Sequence, residues 1–193
     1  MEPTSSSNKE TIIAIKTFVD AVSLPATDIN TYLTNSGLVF VKQQTIGTAV
    51  SSVTVSGAFD STYDNYLIKI TGMTGSAAVD TTFQLGGITT GVYITSGFYQ
   101  SLASSTINAY TTTASTMPAG TMAATQNTQI TIEISGPNLA ITKYVQMNSA
   151  SATLRANSAT QIGSTVQATS FIIAPTSGTL TGGTITVMGY RKA

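Results

Sequence analysis

Histidine, cysteine and tryptophan are absent from this 193-residue chain, and no charged side chain occurs between Asp80 and Glu133. Without cysteine there is no disulfide or thiolate-metal framework, so the fold is indifferent to redox compartment and is held by packing or assembly. Without histidine the usual general base is missing. Formal net charge is zero and 8% of residues are charged, against roughly 25% in ordinary soluble domains. Nucleic acid, which is bound by releasing counterions from phosphates, is therefore not an expected partner. No apolar run reaches the ~18 residues of a membrane span; the stretch from Thr11 to Val22 is broken by Lys16 and Asp20, and no membrane insertion is expected. The opening Met1-Glu2-Pro3 lacks the basic region of a signal peptide, which predicts synthesis in the cytoplasm.

What is present is 41% hydrophobic residues, enough to bury a core. Serine and threonine occupy the polar positions that lysine and glutamate usually take, and threonine is β-branched, which suits the solvent face of a strand. The length fits one core of about 130 to 160 residues plus a smaller appendage.

The appendage reads as helical. Ser7-x-x-Glu10 is a capping-box pattern ahead of an apolar series. Within that series Ile12, Ile15, Val19 and Val22 are spaced 3, 4, 3. This is the seam spacing of a coiled coil, and β-branched residues at both seam positions favour trimers over dimers. The alternative is an amphipathic helix packed on its own domain or on a neighbouring protein. Pro25 stops this helix; Thr27 or Asp28 caps a second short one, in which Ile29, Tyr32 and Leu33 share a face and Asn35-Ser36-Gly37 ends it. Residues 1–37 are thus expected to form an N-terminal arm and helical attachment segment, and residues 38–193 a head domain.

After Gly37 the apolar period becomes two. Leu38 to Val41, Val53 to Val55, Tyr66 to Ile70, Thr81 to Leu85, Val92 to Thr95, Ile107 to Thr111, Gln129 to Ser135, Ile141 to Met147, Thr165 to Ile173 and Thr184 to Tyr190 read as strands separated by glycine-rich turns. Short strands at this spacing predict a mainly β fold, an antiparallel β-sandwich of jelly-roll type. The stretch Ser101 to Asn127 has few large apolar anchors and is expected to be a long exposed loop.

Candidate chemistry is sparse. The β region offers Asp60, Asp64, Asp80 and Glu133 as carboxylates. Asp60 reads as a turn residue bonding its own backbone, and Asp64 with Asn65 precedes a strand. Oxygens of Asp60, Asp64 and Asn65 suggest Ca²⁺ only weakly, since the spacing matches no EF-hand loop. A serine nucleophile would need Lys69 or Lys143 as its base, and nothing in the pattern supports that pairing. Gly86-Gly87 and Gly182-Gly183 lack the lysine and helix of a phosphate loop and read as turns. A carbohydrate-active enzyme, the remote alternative, would need a pair of cleft carboxylates. No catalytic residue, metal or cofactor is expected. Tyr93, Tyr99 and Tyr110 remain as candidate contacts with a sugar or protein partner, whereas Tyr66 reads as core.

Three segments carry a resemblance: Asp28-Ile-Asn-Thr-Tyr-Leu-Thr-Asn-Ser-Gly-Leu-Val-Phe40, Phe59-Asp-Ser-Thr-Tyr-Asp-Asn-Tyr66-Leu-Ile, and Gly182-Gly-Thr-Ile-Thr-Val-Met-Gly-Tyr-Arg191, with Ser135-Gly-Pro-Asn138 as a weaker match. The chain here resembles small tail-fibre-like and virion-surface proteins of tailed bacteriophages. That resemblance implies a non-enzymatic, usually trimeric β-sandwich head in the virion, mounted on a tail, baseplate or capsid through its N-terminal segment. The implied partners are a homotrimer, other virion proteins and a host surface glycan or protein. Residues 73 to 127 depart from the resemblance, and the first 27 match nothing in it. A tail fibre or tail-associated adhesin is the first expectation, with host contact in the loops from Gly86 to Gly120; a capsid decoration protein is the second.

Overall fold

The computed structural model describes residues 37–192 with the exception of residue 123. The expected attachment helices, including Ile12, Ile15, Val19 and Val22, lie outside the described residues.

The described chain is mainly β, and its strands pair antiparallel in two sheets. The larger sheet has nine strands. Along its main path β1 (Leu38–Thr45) is followed by β13 (Thr184–Tyr190), β3 (Asn65–Gly75), β8 (Thr128–Ser135), β9 (Lys143–Ala150), β10 (Leu154–Ile162), β5 (Tyr93–Ser101) and β6 (Ile107–Ala114), and the short β12 (Leu180–Thr181) adds to β3. The smaller sheet orders β2 (Val53–Val55), β11 (Phe171–Pro175), β4 (Asp80–Leu85) and β7 (Met117–Thr121). The chain changes sheet at every step from β1 to β5, again from β6 through β7 to β8, and again from β10 through β11 to β12. Two hairpins interrupt this alternation, β5–β6 between β4 and β7 and β9–β10 between β8 and β11. They pair with each other and widen the larger sheet on one side.

Alternation specifies which face is buried. In β3 the side chains of Tyr66, Ile68, Ile70 and Met73 point inward while Lys69 is exposed; in β8 Ile130, Ile132 and Ile134 are buried and Glu133 is exposed. The sheets meet through aromatic rings. Phe83 stacks on Phe171 at 5.3 Å, Phe171 lies 5.6 Å from Phe59, and Phe59 meets Tyr66 of the larger sheet edge-on at 4.9 Å. The Tyr66 hydroxyl donates to the Asp60 carbonyl (3.0 Å) and accepts from the Asp60 amide (2.9 Å), which fixes the 60–64 turn onto the core. Gly183 marks the tightest backbone approach. At φ +86° a Cβ there would lie 2.6 Å from Met73 N and Thr71 O, so only glycine lets β13 enter beside β3.

Several expectations differ: β9 begins at Lys143 and not at Ile141, and β10 (Leu154–Ile162) is not among the expected strands. Residues 165–170 do not pair as a strand, and the strand begins at Phe171. The local donors are used elsewhere: Ala168 N donates to Pro137 O, and Val166 N to Ser164 Oγ. Within Ser101 to Asn127 the strand expected from Ile107 to Thr111 is present and runs on to Ala114 as β6, and the loop expected around it also contains β7. β6 needs no large anchors because its residues from Ile107 to Ala114 register against β5, and β7 is held by buried Met117 and Ala119, with Met122 just beyond it.

Candidate functional site

A cleft of about 430 Å³ opens where the widened larger sheet extends past β7. Tyr99 of β5, Tyr110 of β6, and Leu154 and Ala156 of β10 line one side; Asp80 of β4 and Pro118, Gly120 and Thr121 of β7 line the other. The two tyrosines share a sheet face because Gly97 is the residue opposite Tyr110, which makes Tyr99 its diagonal neighbour. Their ring centroids are 6.3 Å apart with planes tilted by 43°. Tyr99 is 38% exposed. Burial raises the Tyr110 hydroxyl above its ordinary pKa, and the nearby Asp80 carboxylate adds to the rise.

Asp80 is positioned by long-range pairing. It registers against Thr121, whose hydroxyl donates to Asp80 Oδ1 at 2.6 Å, and its carbonyl accepts from Thr176 N at 2.8 Å. No other side chain among the described residues bonds its carboxylate. Gly120 is required by contact as well as by conformation. At φ +99° its missing Cβ leaves room for Ser149 Oγ, so β7 lies close on β9, while Thr81 Oγ1 donates to the Gly120 carbonyl at 2.7 Å.

The three tyrosines singled out from sequence therefore separate. Tyr99 and Tyr110 come together at the cleft, and Tyr93 does not join them. Tyr93 is fully buried, accepts from Leu85 N at 2.8 Å and donates to Ile88 O at 3.1 Å, and so offers no surface to a partner. Burial pushes its hydroxyl up to about 12 from 10.0. A raised folded-state value means stability that is complete below pH ~10 and lost as pH rises towards ~12. Two pH units correspond to roughly 2–3 kcal/mol. Urea midpoints should fall across this window, with Tyr66, Tyr110 and Tyr190 contributing in the same sense because their values are also raised. The difference between wild type and Tyr93→Phe isolates the Tyr93 share; identical slopes in the two proteins would refute it.

Asp60, Asp64 and Lys143 have structural partners. Asp60 Oδ1 accepts from Thr62 N at 2.8 Å, a turn bond. Asp64 pairs with Lys192 at 2.8 Å on the surface, where screening leaves little net energy. Burial raises the Tyr190 hydroxyl above its ordinary pKa, and the nearby Glu133 carboxylate adds to the rise. All three N–H groups of Lys143 reach backbone carbonyls, so it is not placed as the base of a serine. No group of three or more metal-ligating side chains gathers among the described residues. Lined by one carboxylate and two tyrosines, the cleft is equipped for binding through aromatic faces and hydrogen bonds.

A second surface is the outer face of the larger sheet. Phe40, Phe98, Ile107 and Tyr144 are each at least 50% exposed on it. The register places Thr113, Ile94, Gln161, Tyr144, Ser135 and Asn65 in one row across six strands. The charged strand residues that register on this face are Lys69, Glu133 and Arg155, whereas Lys42 and Lys143 of the same sheet register with the inward-facing rows. Asn157 donates to Asn148 between two of the strands, so even polar side chains here are partly self-satisfied.

No family model matches the chain, and no curated protein matches it.

Proposed function

We propose that the chain is a non-enzymatic structural protein of a bacteriophage virion, a short trimeric tail fibre or tail-associated adhesin carried by its N-terminal segment. The observation that carries this reading is the outer face of the nine-stranded sheet. Eight strands at about 4.8 Å spacing and roughly eight residues long present on the order of 1,000 Å², which exceeds the ~800 Å² per partner of a stable interface. That surface is nearly free of charge and bears exposed aromatic and aliphatic side chains, a combination that favours burial against further copies of the chain. The fold supports the same reading. The orders β1-β13-β3-β8 and β2-β11-β4-β7 are those of an eight-stranded jelly roll, with the two inserted hairpins widening one sheet.

Sedimentation of the full chain should give a three-chain mass, and Phe98→Glu combined with Tyr144→Glu should shift it to one chain. Electron cryomicroscopy of the intact particle should place the head as a three-fold projection from the tail or baseplate. Density capping shell subunits would replace the adhesin by a capsid decoration protein, and a chain missing from the particle would sink both.

A further inference from the structure

We propose that the cleft formed by Tyr99, Tyr110, Asp80, Pro118 and Thr121 binds a neutral pyranose unit of a surface glycan. The proposal rests on the adhesin reading above and names the ligand class of that site.

The lining selects among ligand chemistries. The nearest charge is Asp80, and no lysine or arginine lines the cleft, so a phosphate, sulfate or acidic sugar would meet repulsion with no compensating cation. A metal ion would find a single carboxylate, too few ligands for Ca²⁺. A wholly apolar ligand would cover the Asp80 carboxylate and Thr121 hydroxyl and remove water from them without replacing its hydrogen bonds. A pyranose avoids each cost. One of its faces is a patch of C–H groups that packs on an aromatic ring, and its rim carries hydroxyl donors.

Here the partly exposed Tyr99 ring supplies the packing face, and the tilted Tyr110 and Leu154 close the side of the cleft. Across from them the Asp80 oxygen that Thr121 leaves unbonded accepts sugar hydroxyls. A volume of about 430 Å³ lies within the range of roughly 300 to 1,000 Å³ usual for small-ligand sites. Both walls are rigid, since every lining residue sits on a strand, and the β5–β6 hairpin that brings the tyrosines is an insertion in the alternating strand pattern.

The test is saturation-transfer NMR on the full chain with methyl β-D-galactopyranoside, methyl β-D-glucopyranoside and methyl α-D-mannopyranoside in turn, and with N-acetylneuraminic acid as the acidic counterpart. At least one neutral glycoside should bind saturably with transfer strongest at ring C–H protons, and the acidic sugar should not. Tyr99→Ala and Asp80→Ala should each weaken binding by about ten-fold or more, as expected for a lost packing face or a charge-assisted hydrogen bond. Tyr99→Phe, which keeps the ring, should retain it. Absence of saturable binding by all three neutral glycosides overturns the proposal, as does binding unchanged in both alanine variants or preference for the acidic sugar. Sedimentation of the same samples separates the two readings. A three-chain particle that binds no sugar overturns the cleft assignment alone, and a sugar-binding single chain overturns the trimer alone.

Discussion

Phe171→Ala is expected to lower the free energy of unfolding by about 3 to 5 kcal/mol, the usual cost of removing a buried phenylalanine. Phe171 opens β11, an inner strand of the four-stranded sheet, and pairs with Val55 on one side and Leu85 on the other. Its ring is fully buried between Phe83 and Phe59. Phe59 in turn meets Tyr66, so the chain of contacts runs from the small sheet to the large one. The alanine variant would leave a void that four strands on one side cannot close by moving, because each is hydrogen-bonded to its neighbour. Phe171→Leu, which keeps most of the volume, should cost less than about 1.5 kcal/mol. Urea unfolding is the measurement: the midpoint should fall with the denaturant slope unchanged. A loss below ~1 kcal/mol in the alanine variant would show that the sheets do not depend on this stack. Against a typical total of about 5 to 15 kcal/mol, the predicted loss is a large share.

The same contrast between local pattern and long-range contact explains how much could be read from the residues. Tyr66, Ile68 and Ile70 alternate with exposed Lys69, and that alternation is enough to specify a half-buried strand; so it is for Ile130, Ile132 and Ile134 in β8 and for Ile185 and Val187 in β13. Sequence period does not report what covers a sheet. Tyr93 and Tyr99 lie six residues apart on one face of β5, yet Tyr93 is sealed in the core and Tyr99 reaches solvent. Their fates diverge because the small sheet ends at β7, and its edge falls between them. Asp80 shows the same limit. Its place at the cleft depends on register with Thr121, 41 positions away, and no local signal beyond its position at the border of the charge-free stretch distinguishes it. β10 is hidden for a related reason: a strand of small and polar residues needs little side-chain burial when partners on both sides supply its pairing, with nine residues registered against β5 and eight against β9.

Lys143→Met should destabilise the protein by about 3 kcal/mol or more, an unusual result for replacing a lysine with an apolar side chain of similar length. Lys143 begins β9 and is fully buried. Its ammonium donates to Leu139 O at 3.0 Å, Ile141 O at 2.7 Å and Ser164 O at 2.8 Å. Burial pushes its pKa below the ordinary 10.5, and its three N–H donors are each used by a backbone carbonyl. The group thus joins the turn before β9 to the segment after β10, at a place where residues 163–170 have no strand pairing of their own. Methionine would fill the space and leave three part-buried carbonyls without donors, each costing about 1 to 3 kcal/mol where water does not enter. Lys143→Arg brings enough donors in a bulkier head and should lose less than Lys143→Met does. Urea midpoints of the two variants, with amide hydrogen exchange over residues 163–170, test this. Loss of protection confined to that segment in the methionine variant is the expected pattern; a variant as stable as wild type would mean that packing alone holds the segment in place.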